Sequence, residues 1–312
     1  MDENKIMSDK NFDDWFGSDG IFMPMLNDTG RNVFYDQAIA LAAPGKVVCD
    51  IGTGTGILSI LAARAGATKV YAVEQDQGRA EYASKMFKRT GLDSVIEVVH
   101  SDFLNTNIAA DIYVSETLNT QIFGENIIAL AEHARCHGGT FIPSTFEITA
   151  EVYKNHPIFP LCQARSDAFE FQPDIEIDPV YEDAVSSSFR ASHSLENTLY
   201  RANVLNGLFT MLPRFDDLKL HKICTSDTLI VDLNQPIDIK DLRLKVPAVD
   251  INWPHDIYVV ITWKARYQTV VMDVNDTWFG NSSKTILTRT RKPELDIEMW
   301  YDPDIQDWRF IF

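Results

Sequence analysis

The pattern of apolar and polar positions changes character part-way along the chain. Up to about Pro143, short apolar runs alternate with longer segments whose apolar residues recur at helical spacing. Lys46 to Asp50 predicts a strand that leads straight into Gly52-Thr53-Gly54-Thr55-Gly56. Ile57 to Ala65 then places Ile57, Leu58, Leu61 and Ala62 on one helical face. Lys69 to Val73, Val95 to His100 and Ala110 to Val114 predict three more strands, and Gly78 to Arg89 and Ile127 to His137 two more helices. Strands alternating with helices predict right-handed βαβ units around a parallel sheet.

Past Pro143 the texture becomes β-like. Thr145 to Tyr153, Leu229 to Leu233, Leu242 to Val246, Ile257 to Trp263, Thr269 to Val274, Leu295 to Trp300 and Trp308 to Phe312 are rich in β-branched and aromatic residues. Glu196 to Met211 is the one helical stretch expected there. Gly138-Gly139 and Pro143 punctuate the change. Two domains are therefore expected: an α/β domain over residues 1–143 and a barrel or sandwich with a helical insertion over 144–312.

Composition narrows the partners. Of 312 residues, 45% are hydrophobic, enough for a real core. Against 45 Asp and Glu stand 28 Lys and Arg, a formal net charge of −17. Such a surface repels phosphate backbones and anionic lipid, so nucleic acid and membrane are not expected partners. Cationic or small neutral ligands remain. The longest apolar stretch, Ile57 to Ala65, is broken by Ser59 and Arg64 and is too short to span a bilayer. Met1 to Lys10 has no hydrophobic region of the kind a signal peptide needs. Cys49, Cys136, Cys162 and Cys224 form no CxxC pair, and Cys136 has only His133 and His137 near it, too few ligands for zinc. A reduced, cytoplasmic protein with no metal site is the expectation.

The candidate chemistry starts at Val48-Cys49-Asp50-Ile51-Gly52-Thr53-Gly54-Thr55-Gly56. Glycines let backbone approach a ligand closely, and related loops cradle phosphate at a helix N-terminus. No G-x-x-x-x-G-K-[ST] pattern is present, which excludes a P-loop. Asp50, two residues before Gly52, would repel a pyrophosphate but could orient an ammonium group. Glu74 ends the second strand, 22 residues after Gly52, where a Rossmann-like site takes ribose hydroxyls. Asp102, with Phe103 beside it, follows the third strand and is placed to reach an adenine edge. Adenine, ribose and a cationic amino-acid part, without phosphate, describe S-adenosylmethionine. A nicotinamide or flavin site would use the same glycines, but three acids at successive strand ends favour the sulfonium cofactor.

After the fourth strand comes Ser115-Glu116-Thr117-Leu118-Asn119-Thr120-Gln121-Ile122-Phe123-Gly124-Glu125, with two carboxylates nine residues apart. At the carboxyl end of a sheet they could clamp a planar cation, since guanidinium presents a rigid fork of N–H donors. The plainer reading is two solvated acids near a helix N-terminus, where the dipole favours Glu125.

With these residues in view, the span from Met25 to Glu125 resembles the catalytic core of the protein arginine methyltransferases. Met25-Leu26-Asn27-Asp28-Thr29-Gly30-Arg31-Asn32-Val33-Phe34-Tyr35 is similar to that family's N-terminal helix. Gly52 to Gly56, with Gly-Ile-Leu-Ser and Ala-Ala-Arg-Ala-Gly-Ala after it, resembles its first motif, and Val70 to Glu74 its ribose-binding strand. Ser115-Glu116 and Glu125 match its double-glutamate loop, and Asn119 to Gly124 is closest to the monomethylating branch. The resemblance implies a class I methyltransferase domain followed by a β-barrel domain, with S-adenosylmethionine as cofactor. It implies that Arg31 grips the cofactor's carboxylate and that Gly52, Gly54 and Glu74 complete its site. Glu116 and Glu125 would hold the acceptor guanidinium, and a homodimer is expected.

Three departures lie on the substrate side. Asn11-Phe12-Asp13-Asp14-Trp15 stands where the family has a Tyr-Phe-x-x-Tyr signature, Asp276-Thr277-Trp278 lacks the His of a Thr-His-Trp loop, and the dimerisation-arm region is poorly matched. The expected function is methyl transfer to the guanidinium of arginine, in a peptide or protein or as a free arginine-like compound. Two alternatives stand beside it: another small acceptor on the same fold, or a catalytically silent partner subunit. His133, His137, His156 and His255 have no partners at catalytic spacing, and the aromatics of the last hundred residues are expected in the β core.

Overall fold

The computed structural model describes residues 26–118, 122–154, 221–250, 257–274, 277, 284–288, 294–304 and 307–311. By packing, the chain divides into two units. One holds the chain up to Phe146 together with Ile230–Asp238 and Lys264–Ser282, and the other holds Glu147–Leu229, Ile239–Trp263 and Ser283–Phe312.

The first unit is built on five parallel strands: β1 (Val47–Ile51), β2 (Lys69–Glu74), β3 (Ile96–His100), β4 (Ile112–Ser115) and β5 (Thr140–Ile142). Their order is β3-β2-β1-β4-β5. Connections from β1 step outward one way and those from β4 the other, so the order reverses between β1 and β4. That switch point is where ligands bind in open α/β sheets, beyond the carboxyl ends of the strands. Helices α1 (Thr29–Ala42), α2 (Ile57–Arg64), α3 (Gln77–Thr90) and α4 (Ile127–Cys136) accompany the sheet. The elements read from the sequence up to Pro143 all form, with ends within two residues of those expected. Strand β5 is an addition, on three residues of the stretch read as a domain boundary.

Local chemistry explains the helices. In α1, Phe34, Tyr35, Ala38, Ile39 and Ala42 are buried at the three- and four-residue spacing of one helical face, and Asp28 caps the helix by accepting from the Arg31 amide at 3.1 Å. In α3, Asp76 caps the start by accepting from Arg79 N, and Gly91, left-handed at φ 69°, ends it. Its apolar face buries Ala80, Ala83 and Phe87. Phe87 packs so close to the glycine loop that a Cβ on Gly56 would lie 2.6 Å from its ring.

Beyond β5 the described strands are β6 (Thr145–Lys154), β7 (His221–Thr225), β8 (Leu229–Asp232), β9 (Arg243–Asp250), β10 (Ile257–Tyr267), β11 (Val270–Asp273), β12 (Lys284–Thr288), β13 (Glu294–Asp302) and β14 (Asp307–Ile311). Six of them form one sheet, with β11-β10-β6-β7 in line, and β14-β13-β9 form another. The β6–β7, β10–β11, β10–β12, β13–β14 and β13–β9 pairs are antiparallel. Alternation dictates which side chains are buried. In the second unit Ile148, Ala150 and Val152 on β6, and Val259, Ile261 and Trp263 on β10, are at most 1% exposed. The β-rich expectation is therefore realised as two sheets among the described residues. Strands β7 and β12 were not anticipated, and the helix expected over Glu196 to Met211 lies outside the described residues. No described helix is long and apolar enough to cross a membrane.

Candidate active site

A cavity of about 550 Å³ opens at the carboxyl ends of β1, β2, β3 and β4, wholly within the first unit. That volume suits a small molecule held by a few polar groups. The glycine loop forms its floor. Gly52, Gly54 and Gly56 all have positive φ, at 72°, 52° and 86°, a conformation that side-chain-bearing residues resist. The loop's amides are turned inward. Gly52 N and Thr53 N both donate to the Val73 carbonyl at 2.9 Å, and Gly56 N donates to Thr53 O at 2.8 Å. Gly54 N donates to Glu74 Oε2 at 3.0 Å. A phosphate cradle needs such amides directed at the ligand, and here those of Gly52, Thr53, Gly54 and Gly56 are engaged within the protein.

Asp50 is where the sequence reading needs correcting. Instead of facing an ammonium group in the cavity, it is fully buried beneath the loop and is not among the cavity's lining residues. Its Oδ2 accepts from Thr53 Oγ1 at 2.6 Å, Ser59 Oγ at 2.7 Å and Ser59 N at 3.0 Å. It therefore caps α2 from the neighbouring strand and ties the loop to that helix. Burial pushes its carboxyl up to about 6, opposed by these hydrogen bonds.

The remaining cofactor-side residues converge on the cavity. Glu74, 4% exposed, ends β2, and its carboxylate accepts from Gly54 N and, through Oε1, from Asp76 N at 3.0 Å. Arg79 stands 4.0 Å from the same carboxylate. Each carboxylate oxygen has a second lone pair, so Glu74 can still accept hydroxyl donors from a ligand. Asp102 and Phe103 line the cavity where β3 ends. The Phe103 ring is set by edge contacts to Tyr113, at 5.8 Å between centroids, and to His133, at 5.0 Å.

The cation-binding candidates, Glu116 and Glu125, line the same cavity. Arg31, on the buried face of α1, contacts Glu116 at 2.8 Å from Nη1 to Oε2. Glu125 lines the same cavity from its exposed rim. Its carboxyl is pushed up to about 7, first by loss of solvation among surrounding protein atoms and then by the charge of Glu116. Buried anchors hold the loop that carries it: Ile122 and Phe123 are 0% and 1% exposed, and Phe123 meets the Phe146 ring edge-on. Ile122 and Asn126 have φ of 71° and 67°, a rare conformation for a β-branched residue such as Ile122. The backbone on both sides of Glu125 is thus held in a fixed, uncommon shape.

Of the residues singled out from the sequence, the structure brings Arg31, Gly52, Gly54, Glu74, Asp102, Phe103, Glu116 and Glu125 to one cavity. Trp15, Asp276 and Trp278 lie outside the described residues. Thr277 is described, its amide and hydroxyl both donating to Val274 O. Sequence reasoning missed Tyr35, Arg79 and Thr117, which also line the cavity. Only the helical spacing of Arg31 and Tyr35 could have pointed to one of them. His133 and His137 are engaged with the Thr106 and His133 carbonyls, at 2.8 and 2.9 Å. Among the described residues no group of His, Cys, Asp and Glu is arranged to hold a metal.

Parts of the chain resemble known proteins. The family model of ribosomal protein L11 methyltransferases (PrmA) matches residues 35–146. Protein arginine N-methyltransferase 9 of Mus musculus is 39% identical over 121 residues, which are 36% of this chain and 14% of that protein. An arginine N(omega)-methyltransferase of Streptomyces achromogenes subsp. streptozoticus is 31% identical over 150 residues, 45% of this chain and 42% of that protein. The chain thus spans less than half of the length of either relative. Among solved structures, the Trypanosoma brucei PRMT1 enzyme-prozyme heterotetrameric complex with AdoHcy superposes with a TM-score of 0.65 at 19% identity, over 94% of this chain and 91% of that one. The structure of PRMT6 with SAH gives 0.60 at 18% identity, over 94% and 98%. The fold is that of the protein arginine methyltransferases. The Rossmann-like domain expected from the sequence is present, and the later half, expected as a barrel or sandwich, forms antiparallel sheets among the described residues.

Proposed function

We propose that this chain is an S-adenosylmethionine-dependent N-methyltransferase acting on the guanidinium of arginine, in a peptide or protein or as a free arginine-like compound. The observation that carries the reading is the meeting of Glu116 and Glu125 in one cavity, close enough that the charge of one raises the other's pKa. An acid held partly protonated by lost solvation and by a neighbouring carboxylate gains from a cation shared between the two. The named activities of the arginine methyltransferases that resemble the chain support the same acceptor chemistry.

The cofactor side fits a nucleoside with a charged amino-acid tail better than a dinucleotide. Four of the loop amides are used internally, and Asp50 takes the Ser59 amide in the first turn of α2, which leaves fewer donors for a pyrophosphate. Arg31 would take the cofactor's carboxylate, Glu74 its ribose hydroxyls, and Asp102 and Phe103 its adenine. Bound there, S-adenosylmethionine supplies an electrophilic methyl group on a sulfonium. Glu116 and Glu125 accept N–H donors from the acceptor guanidinium, orient its plane and draw its positive charge away from the attacking nitrogen. With a pKa near 7, Glu125 is matched to receive the proton that the nitrogen gives up.

The reading includes residues 1–143 as the cofactor domain, residues 144–312 as a barrel-like substrate and dimerisation domain, a homodimer and a cytoplasmic location. Light scattering of the purified chain tests self-association. Titration with S-adenosylmethionine tests the cofactor: saturable one-to-one binding is expected, and no binding overturns the proposal. A panel of free arginine, arginine analogues and arginine-rich peptides, with labelled cofactor, then identifies the acceptor.

A further inference from the structure

Helix α1 grips the end of β4 at two points one helical turn apart. Arg31 makes the ion pair to Glu116 described above, and Tyr35, four residues on, donates its phenolic hydroxyl to the Ser115 carbonyl at 2.9 Å. Tyr35 and Ser115 are 1% and 0% exposed. Ser115 is fixed from its side chain as well, with Oγ donating to Ile51 O at 3.0 Å and lying 3.0 Å from Thr117 Oγ1.

The carbonyl that Tyr35 holds belongs to the peptide bond joining Ser115 to Glu116. Fixing that oxygen fixes the peptide plane from which the Glu116 Cα departs, and so narrows the range of directions open to its carboxylate. The Arg31 contact cannot serve this purpose throughout a reaction cycle. On the functional reading above, on which this inference rests, Arg31 serves the cofactor and Glu116 serves the acceptor, so their mutual bond is given up. The Tyr35 bond is to backbone and competes with neither. We propose that Tyr35 is a positioning residue that aims Glu116 at the acceptor guanidinium through the Ser115 carbonyl. Burial, together with the charge of Glu116, raises the phenol's pKa well above its usual value, which keeps it a donor at working pH.

The test is Tyr35→Phe, which keeps the ring and removes the hydroxyl, alone and combined with Glu116→Asp. Loss of one buried neutral hydrogen bond predicts a drop of roughly 3- to 10-fold in kcat/KM for the arginine acceptor. The Kd for S-adenosylmethionine should stay within about twofold, because the hydroxyl is committed to Ser115. In the Glu116→Asp background, where the carboxylate is already displaced, the same change should cost less than about twofold. An unchanged kcat/KM, a parallel loss of cofactor affinity, full additivity with Glu116→Asp, or a Tyr35→Phe protein that does not fold would each overturn the proposal. Wild-type protein that methylates no arginine acceptor overturns the functional reading and this inference together. Active wild type with an indifferent Tyr35→Phe overturns this one alone.

Discussion

Arg31 and Glu116 hold each other at 2.8 Å, with side chains only 5% and 9% exposed. The chain thus places its own guanidinium on a carboxylate proposed to receive the guanidinium of an acceptor. Whatever draws Arg31 toward the cofactor's carboxylate frees Glu116 for the acceptor, so the two ligands should help each other bind.

That coupling can be measured. Calorimetric titration of an arginine acceptor is expected to show tighter binding when S-adenosylhomocysteine is already present, by roughly 5- to 150-fold if the coupling has the usual strength. Reciprocity requires the acceptor to tighten the cofactor product by the same factor. Equal acceptor affinity with and without S-adenosylhomocysteine would show that the ion pair does not link the sites.

Neutralising either glutamate should separate chemistry from cofactor binding. Glu116→Gln and Glu125→Gln are expected to abolish turnover, because neither amide can balance the guanidinium charge or take its proton. Affinity for S-adenosylmethionine should change little in Glu125→Gln and should rise in Glu116→Gln, which frees Arg31 from its ion pair. Full activity in both variants would remove the pair from catalysis.

The pH profile follows from the raised pKa of Glu125, about 7 in the folded protein. Below that value the carboxyl is protonated and cannot share a cation, so kcat/KM should fall as pH drops through about 7. The same shift has an opposite consequence for stability. Between the ordinary carboxylate range and 7 the folded state binds the extra proton, so this group's contribution to stability is present at low pH and lost as pH rises through 7. Glu125→Gln should flatten that part of a pH–stability curve, and an unaltered curve would count against the assignment.

Gly56 gives a test of the fold alone. A methyl group there faces both a φ of 86° and the Phe87 ring 2.6 Å away. Backbone strain and overpacking each cost roughly 1–3 kcal/mol, so Gly56→Ala should lower the unfolding free energy by several kcal/mol. Denaturant titration would register this as a lower midpoint. A midpoint equal to that of wild type would mean that loop and helix can move apart freely.

The first unit was legible because its signals are local. A strand leading into three alternating glycines, and an acid at the end of the next strand, state their geometry within about 25 residues. Asp50 was misread for an equally local reason. Its distance from Gly52 was plain, but nothing in that spacing reveals that Thr53 and Ser59 supply three donors beneath the loop. The Arg31–Glu116 bond joins residues on separate elements, as does the Tyr35–Ser115 bond, and only the folded sheet brings them together. In the later half, richness in β-branched and aromatic residues marked most strands, such as β10, which the structure shows with Val259, Ile261 and Trp263 inside. Their pairing was not legible, since β6 and β7 find each other across 66 residues of intervening chain.

The most direct measurement is tandem mass spectrometry of arginine acceptors after incubation with methyl-labelled S-adenosylmethionine, beside Glu116→Gln and Glu125→Gln controls. The result expected is label on a guanidino nitrogen with wild-type protein and none with either variant. Label on a carboxylate, hydroxyl or ring nitrogen, or equal labelling by the variants, would contradict it.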